Sequence, residues 1–320
     1  MKKYGPADAL ESPRFCGQAT FMRLPQMRTT DGVDVVILGL PFDTSVTYRV
    51  GSRFAPNQIR NASRLLRPYN PVHDIEIFNY CSAVDYGDVD IVPGYTEKSL
   101  LRTVEAMQPI FNAGVIPIAM GGDHCVTLAE LRAANAKYGK LALIHFDSHS
   151  DVWDEYFGEK LSHGTPFRRA LEENLLRTDS SIQIGIRGPL YSASDLNTAK
   201  ELGFEVITGY EMSGMTSESI VGRIRRRVQE HPVFLSFDID FVDPAYAPGT
   251  GTPEVGGPSS RETLEIVRGL TGLKFVGFDV VEVLPQYDHG EITSLLASNI
   301  MYEFLSLVAI NISQNIQSVG

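Results

Sequence analysis

Short runs rich in Val, Ile and Leu recur along this chain and alternate with segments of helical spacing, and that alternation restricts the fold more than any other feature. The runs span residues 33–40, 115–120, 141–146, 182–186, 204–207, 233–237 and 275–283. They are short and apolar at consecutive rather than alternate positions, the pattern of strands buried on both faces of a parallel sheet. Between them, residues 55–66, 97–112, 126–138, 166–176 and 218–229 carry helical patterns. Strand-helix-strand units of this kind close with right-handed crossovers that lay helices over both faces of a sheet, so the chain reads as an α/β fold. Ser259-Ser260-Arg261-Glu262 supplies a capping-box start for another helix, and residues 293–310 read as a last helix packed against the sheet. No repeat, low-complexity linker or shift of composition divides the 320 residues, which are read as one domain over 1–320.

Three of the apolar runs lead into residues that bind metals: His124 in Gly121-Gly122-Asp123-His124, then Asp147-Ser148-His149-Ser150-Asp151, then Asp238-Ile239-Asp240. In an extended chain neighbours two apart point the same way, so Asp147, His149 and Asp151 share one face, as do Asp238 and Asp240. A lone Asp-X-Asp reads as a capped strand end, and a lone Gly-Gly-Asp-His as a turn. Together, at the carboxyl ends of strands where open α/β sheets collect ligands, they assemble four carboxylates and two imidazoles. Acids gathered there without cations would repel one another, and burying each unpaired costs several kcal/mol. The set balances two divalent cations and is oxygen-rich, which suits Mn²⁺ better than thiolate-seeking metals. A two-metal site of this sort activates water for hydrolysis.

Two further residues belong near the cluster. His163 lies in Ser162-His163-Gly164-Thr165-Pro166, just beyond the second acidic run, where an imidazole can shuttle protons. Glu282 interrupts an apolar strand in Val280-Val281-Glu282-Val283, and a carboxylate so placed wants a planar cation such as guanidinium. His145 is read as out of phase with Asp147 and structural. The net charge of −11 argues against nucleic acid or an anionic membrane as partner. The cysteines Cys16, Cys81 and Cys125 form no disulfide framework and fit a reducing, cytoplasmic location. The start, Met1-Lys2-Lys3-Tyr4-Gly5-Pro6, lacks the apolar stretch of a secretory signal, and no segment is read as approaching a membrane span.

The combination of Gly-Gly-Asp-His, Asp-Ser-His-Ser-Asp, Ser236-Phe237-Asp238-Ile239-Asp240 with Asp243-Pro244, and Gly249-Thr250-Gly251-Thr252-Pro253-Glu254 resembles the ureohydrolases, the family of arginase and agmatinase. The likeness runs from Phe21-Met22-Arg23-Leu24-Pro25 and Gly51-Ser52-Arg53-Phe54-Ala55-Pro56 to Glu282. It implies a three-layer α/β/α sandwich around a mostly parallel sheet of about eight strands, and two Mn²⁺ per chain that serve hydrolysis of a guanidino group to urea and an amine. By motif position, His124, Asp147, Asp151 and Asp238 would hold one ion and His149, Asp147, Asp238 and Asp240 the other. Glu282 would hold the guanidinium, Thr252 would line that end of the pocket, Asp151 would hand a proton to the leaving nitrogen, and His163 would connect the site to solvent. The resemblance also implies a homo-oligomer, a trimer or hexamer.

Three positions depart from the commoner pattern of that family: Cys125 and Ser148 stand where Ser or Thr and Ala are usual, and Ala55 replaces Gly. Cys125 reads as a substituted capping residue rather than a nucleophile, and Ala55 as a reshaped turn. The loop over residues 152–161 lacks the Asn and Ser with which arginases read the amino-acid end of arginine. It resembles the agmatinase branch, with Glu155 and Tyr156 as candidate tail-binding residues. Asp154, Glu155 or Glu159 would suit the ammonium of agmatine, the expected substrate, whereas Lys160 or a nearby Arg would suit the carboxylate of a guanidino acid, the alternative. Competing readings are a single-zinc deacetylase-like amidohydrolase, which needs fewer acids, and a catalytically silent metal-binding regulator.

Overall fold

Ten strands order the chain: β1 (Val35–Gly39), β2 (Tyr69–Asn70), β3 (Ile75–Glu76), β4 (Ala83–Asp88), β5 (Ile116–Met120), β6 (Ala142–Phe146), β7 (Ile182–Ile186), β8 (Glu205–Thr208), β9 (Val233–Asp238) and β10 (Phe275–Val281). The structure, a computed structural model, describes residues 4–319. Met1, Lys2 and Lys3, on which the reading of the leader partly rests, lie outside the described residues. Strands β2 and β3 form a small antiparallel pair. The other eight make one sheet in the order β4-β1-β5-β10-β9-β6-β7-β8, parallel at every pairing. Helices pack against it, with separate apolar clusters around Ile118, Phe237 and Phe304 and around Ala119, Phe111 and Leu128. The α/β architecture expected from the apolar runs is therefore the observed one.

The topology decides where chemistry can happen. Consecutive winding in opposite directions leaves β5, β10, β9 and β6 side by side at the centre, and their carboxyl ends open onto one crevice. Met120, Val281, Asp238 and Phe146 terminate those strands, so the residues that follow converge.

Some elements differ from the sequence reading. Strand β4 has no counterpart in it, because Asp85, Tyr86, Gly87 and Asp88 interrupt the apolar run. Asp85 nevertheless lies wholly buried: Arg60 binds it from the helix Ala55–Ser63 at 2.8 and 3.0 Å, and the Phe21 N–H donates to it at 2.8 Å. Strand β10 ends at Val281, so Glu282 does not interrupt a strand but follows one, turned out of the sheet by a left-handed φ of 59°. The last helix runs from Ile292 to Val319, longer than expected. Over Ile292–Ile316 it is long and apolar enough by composition to cross a membrane, contrary to the reading that no segment comes near that length. In the fold it is a core helix, 72% buried over its apolar window, with Glu303 bound to Arg268 at 2.7 Å.

The Arg60–Asp85 pair fastens the edge of the sheet. Arg60→Met leaves Asp85 buried without its cation, and we expect a loss of about 3–5 kcal/mol, read as a lowered denaturant midpoint. An unchanged midpoint would show that Asp85 is held by its backbone donors alone.

Candidate metal centre and active site

Each loop leaving the four central strands delivers its side chains by a local device. After β5, Gly121 and Gly122 let the chain lie flat against its neighbours, since a Cβ on Gly122 would fall on the Phe42 carbonyl. Asp123 then accepts from Ser45 N and Oγ at 3.0 and 2.8 Å and from Cys125 N at 3.0 Å, tying the loop after β1, whose Ser45 carbonyl accepts from His163 N–H, to the loop of His124. Burial, and then the charge of Glu282, push Asp123 up to about 7. After β6, Asp151 takes a left-handed φ of 50°, which an aspartate tolerates better than most residues, and so returns its carboxylate toward the strand end.

The result is a buried cluster. His124 Nδ1 faces Asp147 Oδ2 at 3.1 Å, Asp151 Oδ2 at 2.9 Å and Asp238 Oδ2 at 3.2 Å. His149 Nδ1 faces Asp240 Oδ2 at 3.1 Å and Asp147 Oδ1 at 3.4 Å. Asp147 thus turns one oxygen to each imidazole. Asp238 meets His124, and among the described residues no ion-pair contact joins it to His149.

Whether these residues fit cations is answered by their own unmet valences. His124 Nδ1 and Asp240 Oδ2 are buried without a hydrogen-bond partner. Donor atoms of His124, His145, Asp147 and Asp151 lie within 4.8 Å of one another, as do those of Asp147, His149 and Asp240. Two groups sharing Asp147 fit a pair of ions, and the oxygen-rich donors suit hard divalent cations such as Mn²⁺. Charge balance agrees. Burial, then the charges of Asp240 and Asp147, raise Asp238 well above the usual carboxylate range. Burial works against charging His124 and His149, but the surrounding carboxylates outweigh it and raise both well above the ordinary imidazole value. The cluster draws protons onto its imidazoles, and cations would take their place.

His145 corrects the sequence reading. It is two residues from Asp147 and therefore in phase with it, and its Nε2 meets Asp147 Oδ2 at 2.7 Å. Gln183 Nε2 reaches His145 Nδ1 at 3.1 Å. The parity of positions 145 and 147 was the signal that would have found it. Ser148, where Ala is the commoner residue, gains a role: its N–H and hydroxyl both reach Asp240 Oδ1, at 3.0 and 2.6 Å.

Glu282 and His163 form the second half of the site. Glu282 Oε1 accepts from His124 N–H and meets His163 Nδ1, both at 3.0 Å, whereas Oε2 is buried with no partner. When the ring is neutral, the Thr47 N–H at 3.1 Å makes His163 Nε2 the acceptor and leaves the ring proton on Nδ1, facing Glu282; when it is charged, the Thr47 hydroxyl, 2.7 Å from Nε2, accepts from it. Burial opposes charging this ring, but the hydrogen bond and charge of Glu282 outweigh it and push His163 to about 9.

A cavity of about 600 Å³ opens over the cluster, walled by His149, Asp151, His163, Tyr156, Thr252 and Arg49 among others. Glu282 lies behind that wall, close to Gly251. Glu155 is exposed and does not line the cavity, Asp154 pairs with Arg169 at 2.7 Å, and Glu159 and Lys160 line a separate groove with residues 94–98. Cys125 is buried, and burial followed by the charge of Asp123 raises its thiol pKa, which keeps it from acting as a nucleophile. Nor does Cys125 cap the helix Val126–Tyr138 with its side chain, the acceptor being Asp123. Ala55 sits at an ordinary helical φ of −56°.

Three comparisons bear on these residues. A model of the Arginase family matches residues 33–306. The chain is similar to the guanidinobutyrase of Pseudomonas aeruginosa, 43% identical over 95% of this chain and 96% of that one, and to the guanidinopropionase of the same organism, 44% identical over 95% and 96%. Its fold matches the structure of proclavaminate amidino hydrolase from Streptomyces clavuligerus with a TM-score of 0.90 at 40% identity, covering 94% of this chain and 100% of the other.

Protein stripped by a chelator should take up two Mn²⁺ per chain, and at a hundredfold excess over Kd each site should add about 2.7 kcal/mol to stability, visible as a rise in Tm. Asp147→Ala, which removes the shared carboxylate, should weaken both sites in a calorimetric titration. Saturation at one ion would refute the paired centre.

Proposed function

Because the chain belongs to the arginase family and is a guanidino hydrolase of the agmatinase, guanidinobutyrase and guanidinopropionase type, we propose that its substrate is a guanidino acid such as 4-guanidinobutyrate or 3-guanidinopropionate, hydrolysed to urea and an ω-amino acid. The observation that carries the chemistry is Glu282 Oε2, a buried carboxylate oxygen with no donor of its own. An acceptor left open in a buried place calls for a cationic donor, and guanidinium supplies planar N–H groups.

When bound, two divalent cations would be held by His124, Asp147, Asp151 and Asp238 and by His149, Asp147, Asp238 and Asp240, and would supply Lewis acidity and hydroxide near neutral pH. The chain's own residues do the rest. Glu282 cannot swing, because His124 N–H and His163 Nδ1 hold Oε1, so Oε2 keeps the guanidinium in one orientation. As the guanidinium carbon becomes tetrahedral, fixed carboxylates around it stabilise the charge without reorganising. Asp151 receives the proton of the attacking water and returns it to the nitrogen that leaves with the tail. The C–N bond then breaks, the remaining hydroxyl proton leaves as the carbonyl of urea forms, and His163, at the cavity wall, carries it to the departing amine or to solvent.

Agmatine, the expected substrate, yields to the guanidino acid on two grounds. The acids of the 152–161 loop that were to hold its ammonium do not line the cavity, and the relatives at 43% and 44% identity are named for guanidino acids. Arg49 lines the cavity with its guanidinium 4.8 Å from the Tyr287 ring and makes one hydrogen bond, to the Thr250 carbonyl. Among the described residues no carboxylate pairs with it. Arg187, also on the wall, spends its donors on the carbonyls of Gly185, Phe241, Asp240, Glu254 and Val255. Arg49 is therefore the cation offered to a carboxylate tail. We place the enzyme in the cytosol on its free cysteines, and as a trimer or hexamer on the family resemblance.

Urea release measured across 4-guanidinobutyrate, 3-guanidinopropionate, agmatine and arginine should favour a guanidino acid by kcat/KM, and a preference for agmatine would overturn the assignment of the tail. Arg49→Met should raise KM for the best guanidino acid by roughly 10–100-fold, the worth of a charged hydrogen bond, with a smaller effect on agmatine. His163→Asn should depress kcat by roughly 10²–10⁴-fold, a range typical of acid–base groups, with metal content retained. If Glu282→Gln kept wild-type turnover, Oε2 would not be the guanidinium acceptor.

A further inference from the structure

Beneath His124 the sheet carries a row of polar residues where an apolar core is the rule. His145 on β6, Ser236 on β9 and Asp279 on β10 are register partners across three adjacent strands, and all are fully buried. Ser236 Oγ lies 2.9 Å from His124 Nε2, the ring nitrogen turned away from the acidic cluster. The same hydroxyl donates to Asp279 Oδ1 at 2.7 Å, an oxygen that also accepts from Phe237 N–H at 3.2 Å. Thr127 Oγ1, on the helix Val126–Tyr138, donates to Asp279 Oδ2 at 2.7 Å. Glu130, one turn further along that helix, is buried with no hydrogen-bond donor facing either oxygen. Its pKa is raised well above the carboxylate range by burial and then by the charge of Asp279.

These contacts have only one consistent direction. A carboxylate accepts and does not donate, so the Ser236 proton points to Asp279. Ser236 Oγ must then accept from His124, which keeps a ring proton on Nε2, so that the proton a cation would displace is the one on Nδ1, facing Asp147, Asp151 and Asp238. We propose that Asp279, acting through Ser236, is a positioning residue that fixes the Nε2–H tautomer of His124 and so keeps Nδ1 open to the cation of the first site. Three donors, Ser236 Oγ, Phe237 N–H and Thr127 Oγ1, converge on Asp279 and hold it as an acceptor. The inference rests on the reading of the acidic cluster as a metal centre. It adds what prepares one ligand for the ion: a hydroxyl–carboxylate relay from the sheet, of the kind that orients metal-binding imidazoles.

Two variants test it on the full-length chain, stripped of metal and titrated with Mn²⁺. In Asp279→Asn the amide can donate to Ser236, the hydroxyl can then donate to His124 Nε2, and the ring proton moves to Nδ1, where it blocks the ion. Ser236→Ala breaks the relay by removing a single oxygen, and it carries the test if Asp279→Asn fails to fold. We expect each to weaken the first ion roughly 10–100-fold, the second ion to be affected less, and Ser236→Thr to recover most of the loss. The readout that a merely structural role would not move is the ¹⁵N spectrum of the metal-free protein recorded where the His124 ring is neutral, in which the wild type should show the Nε2–H form of His124 and the variants a mixture or the other form. Unchanged affinity and an unchanged tautomer in Ser236→Ala overturn the inference, even in a protein whose wild type releases urea. A wild type that releases no urea, with the affinity loss and tautomer change still seen in the variants, overturns the proposed function and leaves the inference standing.

Discussion

Charge of one sign, buried at strand ends, is the constraint around which this molecule is arranged. Asp123, Asp147, Asp151, Asp238, Asp240 and Glu282 all lie out of solvent within the loops of four adjacent strands. The neighbouring cationic candidates from the chain itself are the imidazoles of His124, His145, His149 and His163. Each uncompensated acid there costs several kcal/mol, so such a cluster persists only if hydrogen bonds, protons or ions balance it. The fold supplies the first, and the raised imidazoles show the pull for the second. The unmet valences of His124 and Asp240 leave room for the third.

Support for the cluster comes in two chemically different forms. From the sheet and the helix Val126–Tyr138 behind it, support is directional: Ser236 passes a hydrogen bond on to Asp279, Thr127 donates to the same carboxylate, and Gln183 meets His145. From the loop side it is a matter of anchoring backbone. Asp123 ties Ser45 to the His124 loop, and Arg187 staples the carbonyls of Asp240, Phe241, Glu254 and Val255. The second of these holds the segment that carries Thr252 against Asp240. Rigid first contacts of this kind are what electrostatic catalysis needs, because groups already in place pay no reorganisation when charge develops.

Reaction and substrate choice are separated in space. The acids and imidazoles that would act on the guanidino group sit on strand ends at the base of the cavity, held by the sheet. The residues that would read the tail, Arg49 and Tyr156, come from loops at its wall. Tyr156 packs edge-on to Trp153 at 5.8 Å and lies over Gly164, where a side chain would collide with its ring. Loops on a fixed scaffold are where related chains change specificity while retaining chemistry.

The alternation of apolar runs and helical spacing determined a parallel sheet layered with helices, because full burial of a strand on both faces leaves a direct mark on composition. The acids and imidazoles of the cluster were legible as residue types at the ends of apolar runs, but the extended spacing read for Asp147, His149 and Asp151 is not what gathers them: all three follow the end of β6, and a left-handed φ at Asp151 returns its carboxylate toward the strand end. Residues whose meaning depends on distant partners were not legible. Asp85 hid strand β4, because only Arg60 from another element makes its burial tolerable. Asp279 and Glu130 appear in the sequence as ordinary acids, and only the register of β10 against β9 and the placement of one helix bring them beneath His124. The same holds at the mouth of the cavity: local sequence offered Glu155 and Lys160 as tail-binding groups, while tertiary packing turned both outward and brought in Arg49 from a loop a hundred residues earlier. Periodicity is a property of the backbone and can be read along the chain, whereas compensation of buried charge is a property of three-dimensional neighbours, and only the folded arrangement decides which they are.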